Sequence, residues 1–274
     1  EDYMVSLCIK DNNENIQDFL MKKIGESNIP DIYYSKHIFK IYENVIVHYK
    51  GKDFEKFYTF LSDLISEAII NYYEPIIVKR LILKDYFYFE ALDRNSIYHE
   101  YAALHHNSKK FVNKDVLDYI ENHKSIVLNG FVNFRLSNYK NSLEPLVESA
   151  VSKFVLDKEY LEFVSLLKGY VDSKIPEPIK IHLIYANKES ILLDENFNML
   201  ELEDFDSEYL SDISFSQNDY ALNTLIGKLP ESIYIHLISP KDEYIETLEL
   251  IFGKRIHICT GCAICSAYKL LNLK

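Results

Sequence analysis

The chain has no tryptophan, and only seven glycines, seven prolines and four cysteines among 274 residues. Each scarcity excludes something. The glycines are scattered, so there is no glycine-rich loop to cradle a phosphate, and no Gly-x-Ser-x-Gly elbow to present a nucleophilic serine. Four cysteines in a chain of this length do not make the disulfide framework that staples small secreted domains. No stretch approaches the roughly 18 continuous apolar residues that span a bilayer, so no transmembrane segment is expected. No charged start leads into a short apolar run, so no secretory leader is expected either. Positive charge is in the minority: 30 Lys and Arg against 42 Asp and Glu leave a net charge of −12, spread along the chain. Such a surface repels phosphate backbones, and with no helix-turn-helix signature to offset it, nucleic-acid binding is disfavoured. The clustered thiols suit a reducing compartment, and the expected location is cytoplasmic.

What is present is ample apolar material. The hydrophobic fraction is 48% and includes 22 tyrosines and 16 phenylalanines, enough to build a core. "YMVSLCIK" alternates as a half-buried strand does, and "NENIQDFLMKKIG" places Ile16, Phe19, Leu20 and Ile24 on one helical face with Gly25 as the stop. "KHIFKIYENVIVHYKG" reads as a hairpin joined at Glu43-Asn44. The period then changes. Phe54, Phe57, Tyr58, Leu61, Leu64, Ile65, Ala68, Ile69 and Tyr72 keep helical spacing from Asp53 to Pro75. The length of "IIVKRLILKDYFYF" favours helix, and "DRNSIYHEYAALHH" and "NKDVLDYIENH" continue the helical block. Val132, Leu136, Tyr139, Leu143, Leu146, Val147, Ala150, Val151 and Phe154 form a second long stripe, in which Pro145 predicts a kink or a break. "KEYLEFVSLLKGYV" adds a further helix.

"KIPEPIK" closes this block with two prolines that force extended backbone. Beyond it, "IKIHLIYA", "SILLDENFNML", "SIYIHLIS" and "RIHIC" read as strands, and "YALNTLIGKL", "KDEYIETLELIFG" and "CSAYKLLNL" as helices; the later ones compose a small βαβ unit. The expected class is α+β. Its parts are a β-α-β-β segment over 1–52, a helical domain over 53–175, and a C-terminal α/β domain over 179–274 with a short mixed sheet and a cysteine-rich end.

That end holds the one constellation with chemistry in it. "CTGCAIC" puts Cys259, Cys262 and Cys265 at Cys-x2-Cys-x2-Cys spacing, with Gly261 easing the turn. Three thiolates so placed match what a ferredoxin-type loop gives one iron–sulfur cluster, although the fourth cysteine and trailing proline of that pattern are absent. Zinc accepts three cysteines and a histidine, and His257 lies two residues before Cys259 on the same strand face. Spacing that close strains a single tetrahedral site, so a histidine from a neighbouring strand is the better fourth ligand. His182, His236 and His257 each sit between apolar residues in a predicted strand and face one side if those strands pair in register. The competing reading is a buried turn of inert thiols beside a row of half-buried histidines.

Other features carry less. His105 and His106 end a helix and point apart. The acidic stretch over 201–212 reads as a solvated connection, and Asp93 and Glu100 as helix-surface charges. Arg135, among aromatics in "GFVNFRL", is expected in a salt bridge within the helical block.

The stretch from Asn129 onward, with Gly130, Phe131, Asn133, Phe134, Arg135, Leu136 and Tyr139 in a Gly-Phe-x-Asn-Phe-Arg-Leu-x-x-Tyr pattern, resembles the sporulation protein YtxC family of endospore-forming Firmicutes. "KEYLEFVSLLKGYV" and "IFGKRIHICTGCAIC" fit the same pattern, so the resemblance covers about residues 90–265. It implies a bacterial, cytosolic, sporulation-associated protein, and it supplies no catalytic residues. The first functional expectation is therefore a non-enzymatic interaction protein with a protein partner. The alternative is a metal-binding or redox protein that uses the terminal cysteines, with zinc or an iron–sulfur cluster as cofactor.

Overall fold

The computed structural model describes residues 4–38, 43–104, 109–200, 216–259 and 261–271. His105, His106 and the acidic stretch over 201–212 lie outside them. The fold is α+β, and the chain packs as two compact units, Glu1–Leu156 and Asp157–Lys274. Among the described residues no helix is long and apolar enough to cross a membrane.

The first unit opens on β1 (Val5–Asp11), whose alternation turns Leu7 and Ile9 into the core. Asn13 caps α1 (Glu14–Gly25) by accepting the Asn15 amide, and Ile16, Leu20 and Ile24 form its buried face. β2 (Ile32–Ile38) and β3 (Glu43–Tyr49) pair antiparallel, Ile38 opposite Glu43. This moves the hairpin connection from the expected Glu43-Asn44. Both residues already belong to the ladder, Glu43 opposite Asp11 and Asn44 opposite Lys10, so the connection precedes them. The sequence pattern misplaced it because Glu43 and Asn44 are poor strand formers held there by pairing on both sides.

Asp53 caps α2 (Phe54–Ala68), which buries Phe57, Leu61, Leu64, Ile65 and Ala68 as the stripe predicts. One π-helical turn over Ile69–Tyr73 leads into α3 (Glu74–Asp85), so the helix runs on through Pro75 by way of a wider turn. Gly51 is pinned by packing: a Cβ there would lie 2.2 Å from the Tyr49 ring, which is stacked on Phe57 at 4.9 Å between centroids. α4 (Ala91–Ala103) and α5 (Lys109–Ile120) complete the helical layer. Two carboxylates buried near it are paired with tyrosines. Glu74 accepts the Tyr101 hydroxyl at 2.8 Å and also that of Tyr139, and Asp11 accepts the Tyr73 hydroxyl.

β4 (Ser125–Val127) has no counterpart in the sequence reading, since three residues are too short to show a period. It adds parallel to β1, Ile126 opposite Ile9, giving the order β2-β3-β1-β4. The N-terminal strands and the central helices thus share one core. α6 (Leu128–Phe134) ends at Arg135, whose exposed guanidinium lies over the Tyr119 ring, 5.9 Å from its centroid, and among the described residues the expected salt bridge is not formed. α7 (Ser137–Ser173) then runs unbroken through Pro145 and absorbs the separately predicted helix that follows. Proline removes one donor there, to the carbonyl of exposed Asn141. Buried Leu143, Val147 and Ala150 hold the turns on either side.

The second unit takes the C-terminal part of α7, from which Val164 and Val171 enter its core. β5 (Glu177–Ala186) turns back into β6 (Glu189–Leu193) through Asn187 and Lys188, both at positive φ. β6 stops short of the predicted strand end because Asp194 accepts the amides of Asn196 and Asn198 and closes a turn. α8 (Gln217–Lys228) carries a capping box from Ser216 and Asp219. β7 (Pro230–Leu237), α9 (Glu243–Phe252) and β8 (Ile256–Cys259) form the expected βαβ crossover, and α10 (Ala263–Leu271) follows. The sheet is mixed, in the order β6-β5-β7-β8, with β5, β7 and β8 parallel and β6 antiparallel to β5.

Candidate metal centre

The site is built where β8 ends beside β7. Parallel pairing sets Cys259, the last residue of β8, opposite His236 of β7. Residues opposite each other share a face of the pleat, so the Cys259 thiol and the His236 ring emerge side by side. The chain then turns through Gly261, and Cys262 stands at the N-terminal end of α10, where its carbonyl accepts the Ser266 amide at 3.0 Å. Cys265 falls in the first turn of that helix and is 1% exposed. The short spacing delivers the sulfurs, and the sheet register delivers the imidazole.

Four ligand atoms converge: three Sγ and the His236 imidazole, all within 4.8 Å of one another. His236 Nδ1 is 3.3 Å from Cys262 Sγ and 3.5 Å from Cys265 Sγ. Cys265 Sγ is 3.6 Å from Cys262 Sγ and 3.8 Å from Cys259 Sγ. On a tetrahedral ion with metal–sulfur bonds of about 2.3 Å and a metal–nitrogen bond of about 2.0 Å, neighbouring ligand atoms lie about 3.5–3.8 Å apart. Four of the six separations thus match one ion, the other two, both to Cys259, lie within 4.8 Å, and a His/Cys set able to coordinate a metal is present.

Electrostatics divide the three thiols. The Cys265 amide, at the start of α10, donates to Cys262 Sγ at 3.5 Å and holds that thiol below its ordinary value. Burial pushes Cys265 the other way, up to about 11. A bound cation would cancel that penalty, because a coordinating thiol is deprotonated outright. His236, 4% exposed, is held below the ordinary histidine value by burial and by its neighbour His182. Burial lowers His182 as well.

These shifts set a pH dependence. A depressed imidazole contributes stability that is intact above the unfolded value of 6.5 and is lost as pH falls through the lower folded values. Protons also displace a metal from thiolate and imidazole, in the same direction. Melting temperature should accordingly fall as pH drops from 6.5 towards 5 and stay flat between 7 and 8. A His182→Phe, His236→Phe double variant should lose most of the fall, as followed by circular dichroism.

The histidines singled out in the sequence part company here. His182 of β5 stands opposite Tyr234, and Tyr234 opposite His257, so these three rings form one row across the sheet. His257 stacks on Tyr234 at 5.0 Å and is not among the four converging residues. It lies two positions back along β8 from Cys259, in the row of His182 and Tyr234. His236, one row onward, takes the place beside the sulfurs. His182 touches it from the other side, Nδ1 to Nε2 at 3.0 Å.

A family model described as YtxC-like family matches residues 59–257, most of the chain. The chain belongs to this family. Among curated proteins, it is 24% identical over 140 residues to a protein of Bacillus subtilis (strain 168) whose name reads "Uncharacterized protein YtxC". The matched stretch is 48% of this chain and 47% of that protein, so the chain aligns with about half of its relative's length. No solved structure matches. The YtxC-like match ends at His257, two residues short of Cys259. The three cysteines therefore stand just past it, while His182 and His236 fall inside.

Proposed function

We propose that this YtxC-like protein is a cytoplasmic, sporulation-associated interaction protein, without catalysis of its own, whose C-terminal unit is fastened by one zinc ion. Cys259, Cys262, Cys265 and His236 are its ligands. The observation that carries this reading is the convergence of four ligand atoms within 4.8 Å of one another, with four of their six separations at 3.3–3.8 Å, close to those around a single tetrahedral ion. A structural zinc site uses all four positions for protein ligands, whereas a catalytic one keeps a position open for water or substrate. A cubane cluster spreads its thiolates over separate irons, and so holds them farther apart than a single ion does. Four unpaired cysteines support a reducing compartment. The family resemblance supports the link to sporulation, and tyrosines at half-exposed positions supply surface suited to a protein partner.

Elemental analysis and an absorption spectrum of protein purified without oxygen test the metal. The expected result is about one zinc per chain in a colourless protein, and loss of that zinc in Cys262→Ser. A brown chromophore with iron would replace zinc by a cluster and move the protein to the redox class. A full wild-type preparation with no metal would leave the thiols as packing. For the partner, wild-type protein immobilised against extract of sporulating cells should retain a specific protein that extract of vegetative cells does not supply.

A further inference from the structure

The zinc reading leaves one contact unused. His236 can reach the sulfurs only through Nδ1, yet an imidazole turned about its Cβ–Cγ bond would present carbon there instead. Something must hold the ring. We propose that His182 is the positioning residue that orients His236 for metal binding through Nδ1; this rests on the zinc site argued above.

A neutral imidazole has one lone pair and one N–H. If Nδ1 of His236 gives its lone pair to the metal, Nε2 carries the proton. Among the described residues, that proton faces His182 Nδ1 at 3.0 Å. His182 Nδ1 must then accept, which fixes the His182 proton on Nε2. The two rings lie 5.3 Å apart and 24° from parallel. His182 is in turn wedged between Tyr234, at 5.2 Å, and Phe197, at 4.5 Å. Its orientation is therefore set by β5, by Phe197 in the turn after β6 and by Tyr234 of β7, and of these elements only β7 supplies a ligand. Through this contact the metal centre reaches three strands, β8 and β7 directly and β5 through the imidazole pair. A histidine ligand that donates its second N–H to a fixed acceptor is held in both tautomer and direction, and losing such an acceptor weakens metal binding by about 10- to 100-fold.

Three variants of the full chain separate orientation from packing, with zinc affinity read by competition against a chromophoric chelator. His182→Phe keeps a ring between Tyr234 and Phe197 but removes the acceptor, and should bind zinc about 10- to 100-fold more weakly than wild type. His182→Gln returns an acceptor oxygen and should recover most of the loss. His257→Phe, on the same sheet face but outside the pair, should bind as wild type does. Cobalt(II) should give the same tetrahedral thiolate spectrum in all three, because no ligand has been removed. Imidazole nitrogen spectra of zinc-loaded wild type read the geometry without any variant: His236 metal-bound at Nδ1 and protonated at Nε2, His182 protonated at Nε2. Equal zinc affinity in His182→Phe and wild type, or metal on His236 Nε2, would overturn the inference while leaving the zinc site standing. Wild-type protein that binds no zinc would overturn both.

Discussion

With the proposed zinc bound, a chelator that removes it should lower the melting temperature of purified protein by roughly 10–20 °C. A ligand present at about a thousand times its dissociation constant stabilises the state that binds it by about 4 kcal/mol. Each kcal/mol moves the midpoint of a domain of this size by roughly 3–5 °C. The loss has a structural reason. β8 has four residues, Ile256–Cys259, and two of them are exposed, so apolar burial does little to hold it. α10 follows directly, and its first turn is tied back through Cys262 and Cys265. With the ion gone, three thiols and an imidazole face one another with no common partner, and the end of the sheet loses its fastening. Cys262→Ser should reproduce the loss, since a serine hydroxyl is a poor zinc ligand, and chelation should then have no further effect. Scanning calorimetry with and without chelator reads both. An unchanged midpoint after metal analysis has confirmed removal would refute a structural role.

The second large effect lies in the first unit and concerns packing alone. Phe57→Ala should destabilise that unit by about 3–5 kcal/mol, the range for removing a fully buried aromatic ring. Phe57 is 0% exposed and lies flat against Tyr49, with centroids 4.9 Å apart and planes 5° from parallel. Tyr49 in turn fills the space that Gly51 leaves by having no side chain. Truncation therefore opens a cavity on one side of a ring already pressed from the other, and the surroundings cannot close over it without moving β3. Phe57→Leu keeps part of the volume and should lose clearly less. Urea denaturation gives both values. A Phe57→Ala midpoint within experimental error of wild type would mean that α2 does not anchor this core.

The sequence by itself determined most of the helical architecture, because the signal is local. The nine-position stripe from Phe54 to Tyr72 needs only the helical period to be read, and Phe57, Leu61, Leu64, Ile65, Ala68 and Ile69 are buried in the structure. The α+β class, the βαβ crossover and the mixed C-terminal sheet follow from the same kind of pattern. So does the meeting of the three cysteines, since a seven-residue turn cannot send them apart.

Tertiary structure decided whatever depends on residues far apart in the chain. β4 is three residues long and carries no period; only the edge of β1 makes it a strand. Pro145 predicts an interruption on local grounds, and the helix continues because the turns beside it are buried. The histidine beside the three cysteines shows the division most sharply. Spacing alone put His257 next to Cys259 and left His182, His236 and His257 equivalent on one face. The pairing of β7 with β8 set His236, and not His257, opposite Cys259. Register between strands is fixed by the burial of whole faces, a sum over many side chains that no short motif contains.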